Sequence, residues 1–407
     1  MYPNARLDKR PVFKGFLMIS LMSAGLWLAS LGSVAVAQPA GFQPFMQSSG
    51  EWLLNQQRPD GSFPNSVGDP PTLAFASVQA PSGLGMLSSW FATEDPDFLA
   101  SAVAAGDYLI SNFDLFPTSE PRIRTFDPLF FVRLSAVTGD SVYADFIQDN
   151  FWTPLANGTY GPDGDWGIAE YAASEIARRA TAGSASAAWD LAMIAVAAEE
   201  AGVTTFRAGL ASGAATALES ASDSVYILGE RGFDVLGLAG AVWIGALTGE
   251  SVTPGSGLWA GLSLTALADA LIDHQATAGS FLQSSVAFSA PVDVTETVSQ
   301  TTAFAVLALD ALNANAYSAT INSGLESLIN TFQTASGRIS FFHPDADLST
   351  VDDPKPFPYM HAYVLYSVNE TSDPRESVAV PIFGAWGLGL LLMMMLSLGW
   401  VALAARK

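Results

Sequence analysis

The sequence predicts an all-α domain of about six helix pairs, lying between a secretory leader and a membrane-spanning tail. Three observations carry that expectation. Hydrophobic residues make up 50% of the 407 and charged ones 14%, enough for a large core and too few charges for disorder. Two kinds of helical segment alternate through the middle of the chain, one amphipathic and one apolar on nearly every face. A short phrase built on Gln and Gly recurs where the amphipathic segments end.

The amphipathic kind is represented by residues 316–332, where Ile321, Leu325, Leu328, Ile329 and Phe332 repeat at helical spacing. The apolar kind is represented by 187–201, 233–248 and 298–313, Ala-rich stretches too long for strands. A helix that is apolar all round must be enclosed all round. Paired as outer then inner, the segments run 44–57 with 72–90, 97–113 with 126–138, 141–152 with 187–201, 204–220 with 233–248, 258–275 with 297–313, and 316–332 with 357–368. Residues 166–179 are a candidate extra helix in the third pair. An apolar ring inside an amphipathic ring is the (α/α)6 toroid layout. An open superhelical stack is the competing arrangement.

The recurring phrase reads WLLNQQRPDGSF at Trp52–Phe63, LIDHQATAGSF at Leu271–Phe281 and LINTFQTASGRI at Leu328–Ile339. Each places a Gln (Gln57, Gln275, Gln333) four residues before a Gly (Gly61, Gly279, Gly337). The Gln is expected to end the helix and the Gly to take the left-handed turn. This pattern resembles the Gln–Gly repeat of the terpenoid cyclase and prenyltransferase toroids, which implies an α/α-toroid fold. The chemistries of that superfamily do not carry over. The D-x-D-D acid of squalene-hopene type cyclases is absent. The zinc site of protein prenyltransferases and the thioester of complement-like domains both need a Cys, and the chain has none.

The two ends read separately. Arg6 to Lys14 is basic, Phe16 to Gly32 is apolar, and Ala35-Val36-Ala37 has the small residues that signal peptidase requires, with cleavage between Ala37 and Gln38. At the other end, residues 384–405 carry no charge over 22 positions, enough to span about 30 Å of hydrocarbon, and Arg406 and Lys407 follow. Ahead of that run, Val380-Pro381-Ile382-Phe383-Gly384-Ala385-Trp386-Gly387 resembles the I-P-T-L-x-x-W-G sorting signals of Gram-negative bacteria. Pro381, Trp386 and Gly387 match, while Val380, Ile382 and Phe383 depart. The resemblance implies processing by an exosortase-like membrane protease after export to the periplasm, and then display at or beyond the cell surface. The expected partition is a leader at 1–37, one domain at 38–369, a linker at 370–379, and a sorting motif with its membrane helix at 380–407.

Of the 17 basic side chains, four lie in residues 1–37 and two at the last two positions, leaving 11 in between. Of the 39 acidic ones, 38 lie there, so this stretch has a net charge of −27. Such a surface repels phosphate backbones and makes nucleic acid a poor partner. Extracellular glycan is a compatible one.

Inner helices of a toroid share a direction, so their N-termini meet at one rim. Asp127, Asp190 and Asp234 each directly follow an aromatic there, in Phe126-Asp127, Trp189-Asp190 and Phe233-Asp234. They are candidate acid–base residues, with helix capping as the competing role. His361 joins them by type. Trp166, Glu170 and Tyr171 in the GPDGDWGIAEY stretch, together with His343 and Tyr359, are candidate binding residues. His274 is expected at the surface of an outer helix. No metal site or cofactor is implied by any motif. Lacking a catalytic motif, the chain is expected to be an anchored binding or presentation scaffold. The alternatives are a glycan-binding or glycan-cleaving toroid and, third, an isoprenoid cyclase-like enzyme.

Overall fold

The computed structural model describes residues 38–69, 76–116, 121–179, 184–220, 224–225, 231–282, 284–285, 293–346 and 356–372. Ala37 and the rest of the expected leader lie outside the described residues, as do Pro381, Trp386, Gly387 and the apolar run 384–405. Among the described residues, no helix is long and apolar enough to cross a membrane.

In chain order the pairs begin with α1 (Phe42–Leu54) and α2 (Ala76–Thr93), then α3 (Pro96–Ser111) and α4 (Asp127–Thr138). The third unit has α5 (Ser141–Ile147), a π turn, α6 (Thr153–Asn157) and the additional α7 (Ile168–Arg178) outside α8 (Ala187–Glu200). Next come α9 (Arg207–Leu218) with α10 (Val235–Thr248), α11 (Leu264–Ile272) with α12 (Ser299–Asn313), and α13 (Ser318–Asn330) with α14 (Pro358–Ser372). Neighbouring inner helices pack in the order α2, α4, α8, α10, α12 and α14, and α14 packs back against α2. The ring is closed, so the superhelical alternative falls.

The reason lies in the inner helices. Residues 187–198 of α8 and 235–245 of α10 are buried on every face. At the centre, Phe126, Trp189, Trp243, Phe304 and Tyr363 fill the ring; Phe126 stacks on Tyr363 at 4.7 Å and Trp189 meets Phe304 edge-on at 5.2 Å. At the ring's other end, where the inner helices finish, Arg133 of α4 joins Glu200 of α8 to Glu370 of α14. The last helix therefore continues to Ser372, three residues into the segment expected to be a linker.

Short strands depart from a purely helical chain. β1 (Ser224–Val225), β2 (Arg231–Asp234) and β4 (Ser284–Ser285) form one antiparallel sheet, and β3 (Phe281–Leu282) pairs with β5 (Thr297–Val298). They occupy the approaches to α10 and α12, so α10 starts two residues, and α12 one residue, later than their apolar runs suggest.

The Gln–Gly phrase clips one unit to the next. Gln57 Nε2 donates to Gly61 O in its own turn (2.9 Å) and to Ser101 O on α3 (2.8 Å). Gln275 does the same with Gly279 O (2.8 Å) and Thr320 O on α13 (3.0 Å). Gln333 reaches across the ring closure to Phe45 O, Ser48 Oγ and Ser49 Oγ on α1. The glycines are left-handed, with φ of 87°, 94° and 81°. A Cβ on them would run into the backbone of Ala104, Ser323 and Ser48 respectively. The phrase thus needs Gly twice over, for the turn and for the close approach of the next outer helix.

Candidate active site at the toroid rim

The segment entering α4 and the N-terminal turn of α8 wall a cavity of about 140 Å³ at the rim. Its lining includes Arg124, Asp127, Arg178, Arg179, Asp190 and Tyr363. Asp127 is the first residue of α4 and is 5% exposed. Its Oδ2 accepts from Arg124 N at 2.8 Å. Burial outweighs that bond and the Arg124 charge, pushing the carboxyl up to about 7.

Asp190 lies in the first turn of α8 and is 1% exposed. Arg179 forks onto it, Nε to Oδ2 at 2.7 Å and Nη2 to Oδ1 at 2.8 Å. Arg178 Nη2 reaches Oδ2 at 2.9 Å, and Thr125 Oγ1 donates to Oδ1 at 3.2 Å. Burial works to raise this carboxyl, but Arg179, Arg178 and Thr125 together hold it below the ordinary range. Two carboxyls of one cavity are thereby driven apart, one poised to exchange a proton near neutrality and the other fixed as an anion.

The surroundings hold this geometry. Thr125 has φ of 32°, an unfavourable conformation for a β-branched residue, kept because its hydroxyl engages Asp190. Tyr160 OH donates to Ile123 O at 2.6 Å and fastens the rim segment to the 160–166 hairpin. Arg179 lies over the Trp189 ring at 5.3 Å.

Only part of the expected constellation assembles. Asp127 and Asp190 share the cavity, and neither caps its helix. Asp234 does cap: it accepts from Gly237 N at 2.7 Å and from the Ser186 hydroxyl, and it does not line the cavity. His361 is not a proton-transfer group. Its Nε2 bonds Ser49 O at 2.9 Å, its Nδ1 accepts from Ile339 N at 2.9 Å, and burial lowers it to about 3. Trp52 stacks on it at 4.6 Å, making it a latch between the last and first units. His274 is buried rather than superficial, at 2% exposure, with Nδ1 2.7 Å from Ala270 O.

The binding candidates scatter as well. Tyr171 is fully buried against Phe151 and Tyr160, so it is core. Glu170 is exposed and accepts from Gly167 N at the start of α7. Trp166 packs over Gly161 in the hairpin, and His343 is buried edge-on against Phe332. Tyr359 comes nearest the site, edge-on to Tyr363 at 5.8 Å. Arg124, Arg178 and Arg179 were missed. Their signal was available: Arg178-Arg179 is the sole adjacent basic pair between the two ends of an acidic chain.

No known family profile matches the chain, and no curated protein matches it. Solved structures do. An unsaturated glucuronyl hydrolase specific for heparin superposes with a TM-score of 0.52 at 14% identity, covering 81% of this chain and 96% of its own. An unsaturated glucuronyl hydrolase of Bacillus sp. GL1, described as degrading glycosaminoglycan, gives 0.52 at 12% identity, covering 81% and 98%. A polysaccharide lyase gives 0.50 at 12% identity, covering 83% and 98%. These are α/α-toroid enzymes, and this chain has their fold. At such identities the likeness fixes the architecture alone.

Proposed function

We propose that the chain is a glycan-cleaving α/α toroid that acts on acidic saccharide at the rim cavity. One observation carries the reading: a carboxyl poised near 7, Asp127, shares a small rim cavity with three guanidinium groups. A group titrating near the working pH is the most effective proton donor or acceptor. Arginines match the planar geometry of a uronate carboxylate, and the aromatic rings offer faces to a sugar. Asp190 is already saturated by donors, so its role is to hold Arg178 and Arg179 rather than to attack. The kinship in fold with saccharide-processing enzymes supports this reading over the presentation scaffold that the sequence favoured. The leader and tail expected from the sequence fit a site of action outside the cytoplasm, and an isoprenoid enzyme finds no support in the cavity.

The test is incubation with uronate-containing oligosaccharides and matched neutral ones. Products are read as new reducing ends and as the ultraviolet absorbance of an unsaturated uronate. Cleavage confined to the acidic set, reduced about 10²- to 10⁴-fold by Asp127→Asn, is the expected result. Absence of cleavage across the panel, or an unaffected D127N protein, overturns the proposal.

A further inference from the structure

Beneath the cavity lies a carboxyl with no direct part in the reaction. Glu175, on α7, is fully buried. Its Oε2 accepts from both Nε and Nη2 of Arg178, the first at 2.9 Å. Among the described residues, its Oε1 has no hydrogen-bond partner. The same Arg178 Nη2 also reaches Asp190 Oδ2 at 2.9 Å. Taking a carboxyl wholly out of water is costly, and Arg178 supplies both of the hydrogen bonds that offset the cost. The residue therefore makes sense only through what it does to that guanidinium.

Asp190 engages only one Arg178 nitrogen, Nη2, and the arginine stands in a loosely anchored place. It is the last residue of α7, and its side chain is 29% exposed. An unrestrained arginine there would sweep through solvent, and ordering it on ligand binding would cost rotamer entropy. Glu175, one turn back on the same helix and walled by Tyr171, pins it before any ligand arrives. Burial and the neighbouring Asp190 charge raise the Glu175 carboxyl, against the pull of Arg178.

We infer that Glu175 is a positioning residue that presents the Arg178 guanidinium to the rim cavity, and that Arg178 so held is the group that recognises the substrate's carboxylate. The second half rests on the reading under Proposed function; the first does not. Two measurements separate them. Wild type, E175Q and E175A are treated with phenylglyoxal, and modification at Arg178 and Arg179 is mapped by peptide mass spectrometry. In E175A, Arg178 reacts about fivefold faster or more, while E175Q, which retains an acceptor oxygen, stays within about twofold of wild type. Equal Arg178 rates in all three overturn the positioning role. If E175A fails to fold, E175D, which withdraws the carboxyl by one carbon, takes its place and shows the same direction.

The second measurement is affinity for D-glucuronate against D-glucose by calorimetry, and the KM and kcat of any cleaved uronate substrate. In E175A, affinity for glucuronate and KM worsen about tenfold, with kcat and glucose binding within about threefold. A fall in kcat at constant KM, or equal loss for both sugars, overturns the recognition role. If wild type neither binds glucuronate nor cleaves uronate substrates, the recognition role falls with the proposed function, while Arg178 reactivity still decides the positioning role.

Discussion

The Gln–Gly clip at the ring closure allows a test in which two identical substitutions should differ in effect. Gly337 and Gly139 both adopt left-handed φ, 81° and 69°. An Ala at either position pays about 1–2 kcal/mol for that conformation. At Gly139 nothing lies within 4 Å of the added Cβ, so the cost ends there. At Gly337 the Cβ collides with the Ser48 carbonyl, whose carbon would be 2.7 Å away, and α1 must retreat. Overpacking of this kind costs about 1–3 kcal/mol. The retreat also stretches the Ser49 Oγ bond to Gly337 O (2.9 Å) and the three bonds from Gln333, each with a net worth of about 0.5–1.5 kcal/mol.

The expected losses are therefore about 1–2 kcal/mol for Gly139→Ala and about 3–5 kcal/mol for Gly337→Ala. At about 2 °C per kcal/mol for a domain of this size, the melting temperatures fall by about 2–4 °C and 6–10 °C. Differential scanning calorimetry of the full chain measures both. Equal decrements would refute the close-approach argument and reduce the repeated Gly to a turn residue.

Three further outcomes follow from the buried titrating groups and the ion pair. The raised Asp127 carboxyl favours folding while protonated, so this contribution is full below about pH 4 and is lost as pH rises to about 7. Asp127→Asn should remove that loss, raising stability by about 2–4 kcal/mol at pH 8 and changing little at pH 4, as chemical denaturation at the two pH values would report. His361 has the opposite sign. Its lowered value makes it stabilising above about 6.5 and progressively less so as pH falls to about 3, so His361→Gln should flatten the acid limb of a melting-temperature profile. Asp190→Ala leaves Arg178 and Arg179 without their shared counter-charge and should cost about 3–5 kcal/mol, more than Asp234→Ala at about 1, measured by urea unfolding.

The architecture was legible because it is written in periodicity. A run such as AAWDLAMIAVAA can be satisfied only by enclosure, and the Gln–Gly spacing marks helix ends whatever the tertiary context. The starts of α10 and α12 were misjudged because Phe233 and Val298 are as apolar as the helices they precede, and only strand pairing distinguishes them. The site was half legible. Asp127 and Asp190 follow from the shared direction of the inner helices, but Asp234 obeys the same rule and is spent on its own helix. Whether such an Asp caps or catalyses depends on where arginines from another element fall, and α7 brings its pair in from outside the ring. The histidines misled for a related reason. Residue type signals a capacity for proton transfer, while burial and two satisfied ring nitrogens cancel it at His361.

The charge distribution leads to one more expectation. The segment between the two ends carries −27, yet three of its 11 basic residues line a single cavity. A long polyanion approaching this surface meets net repulsion, with three arginines gathered at that point, and salt of about 0.1 M screens it only beyond about 10 Å. The cavity, at about 140 Å³, is well below the roughly 300–1,000 Å³ that encloses a drug-sized ligand, which leaves room for little more than one sugar ring. Net repulsion along the surface combined with attraction at one small cavity favours chain ends over chain interiors. Cleavage of acidic di- and tetrasaccharides should therefore exceed that of the parent polymer at equal concentration of ends, and added salt should narrow the gap by raising the rate on the polymer. A polymer cleaved internally, with fragments of many lengths appearing at once, would contradict the small rim cavity as the place of reaction.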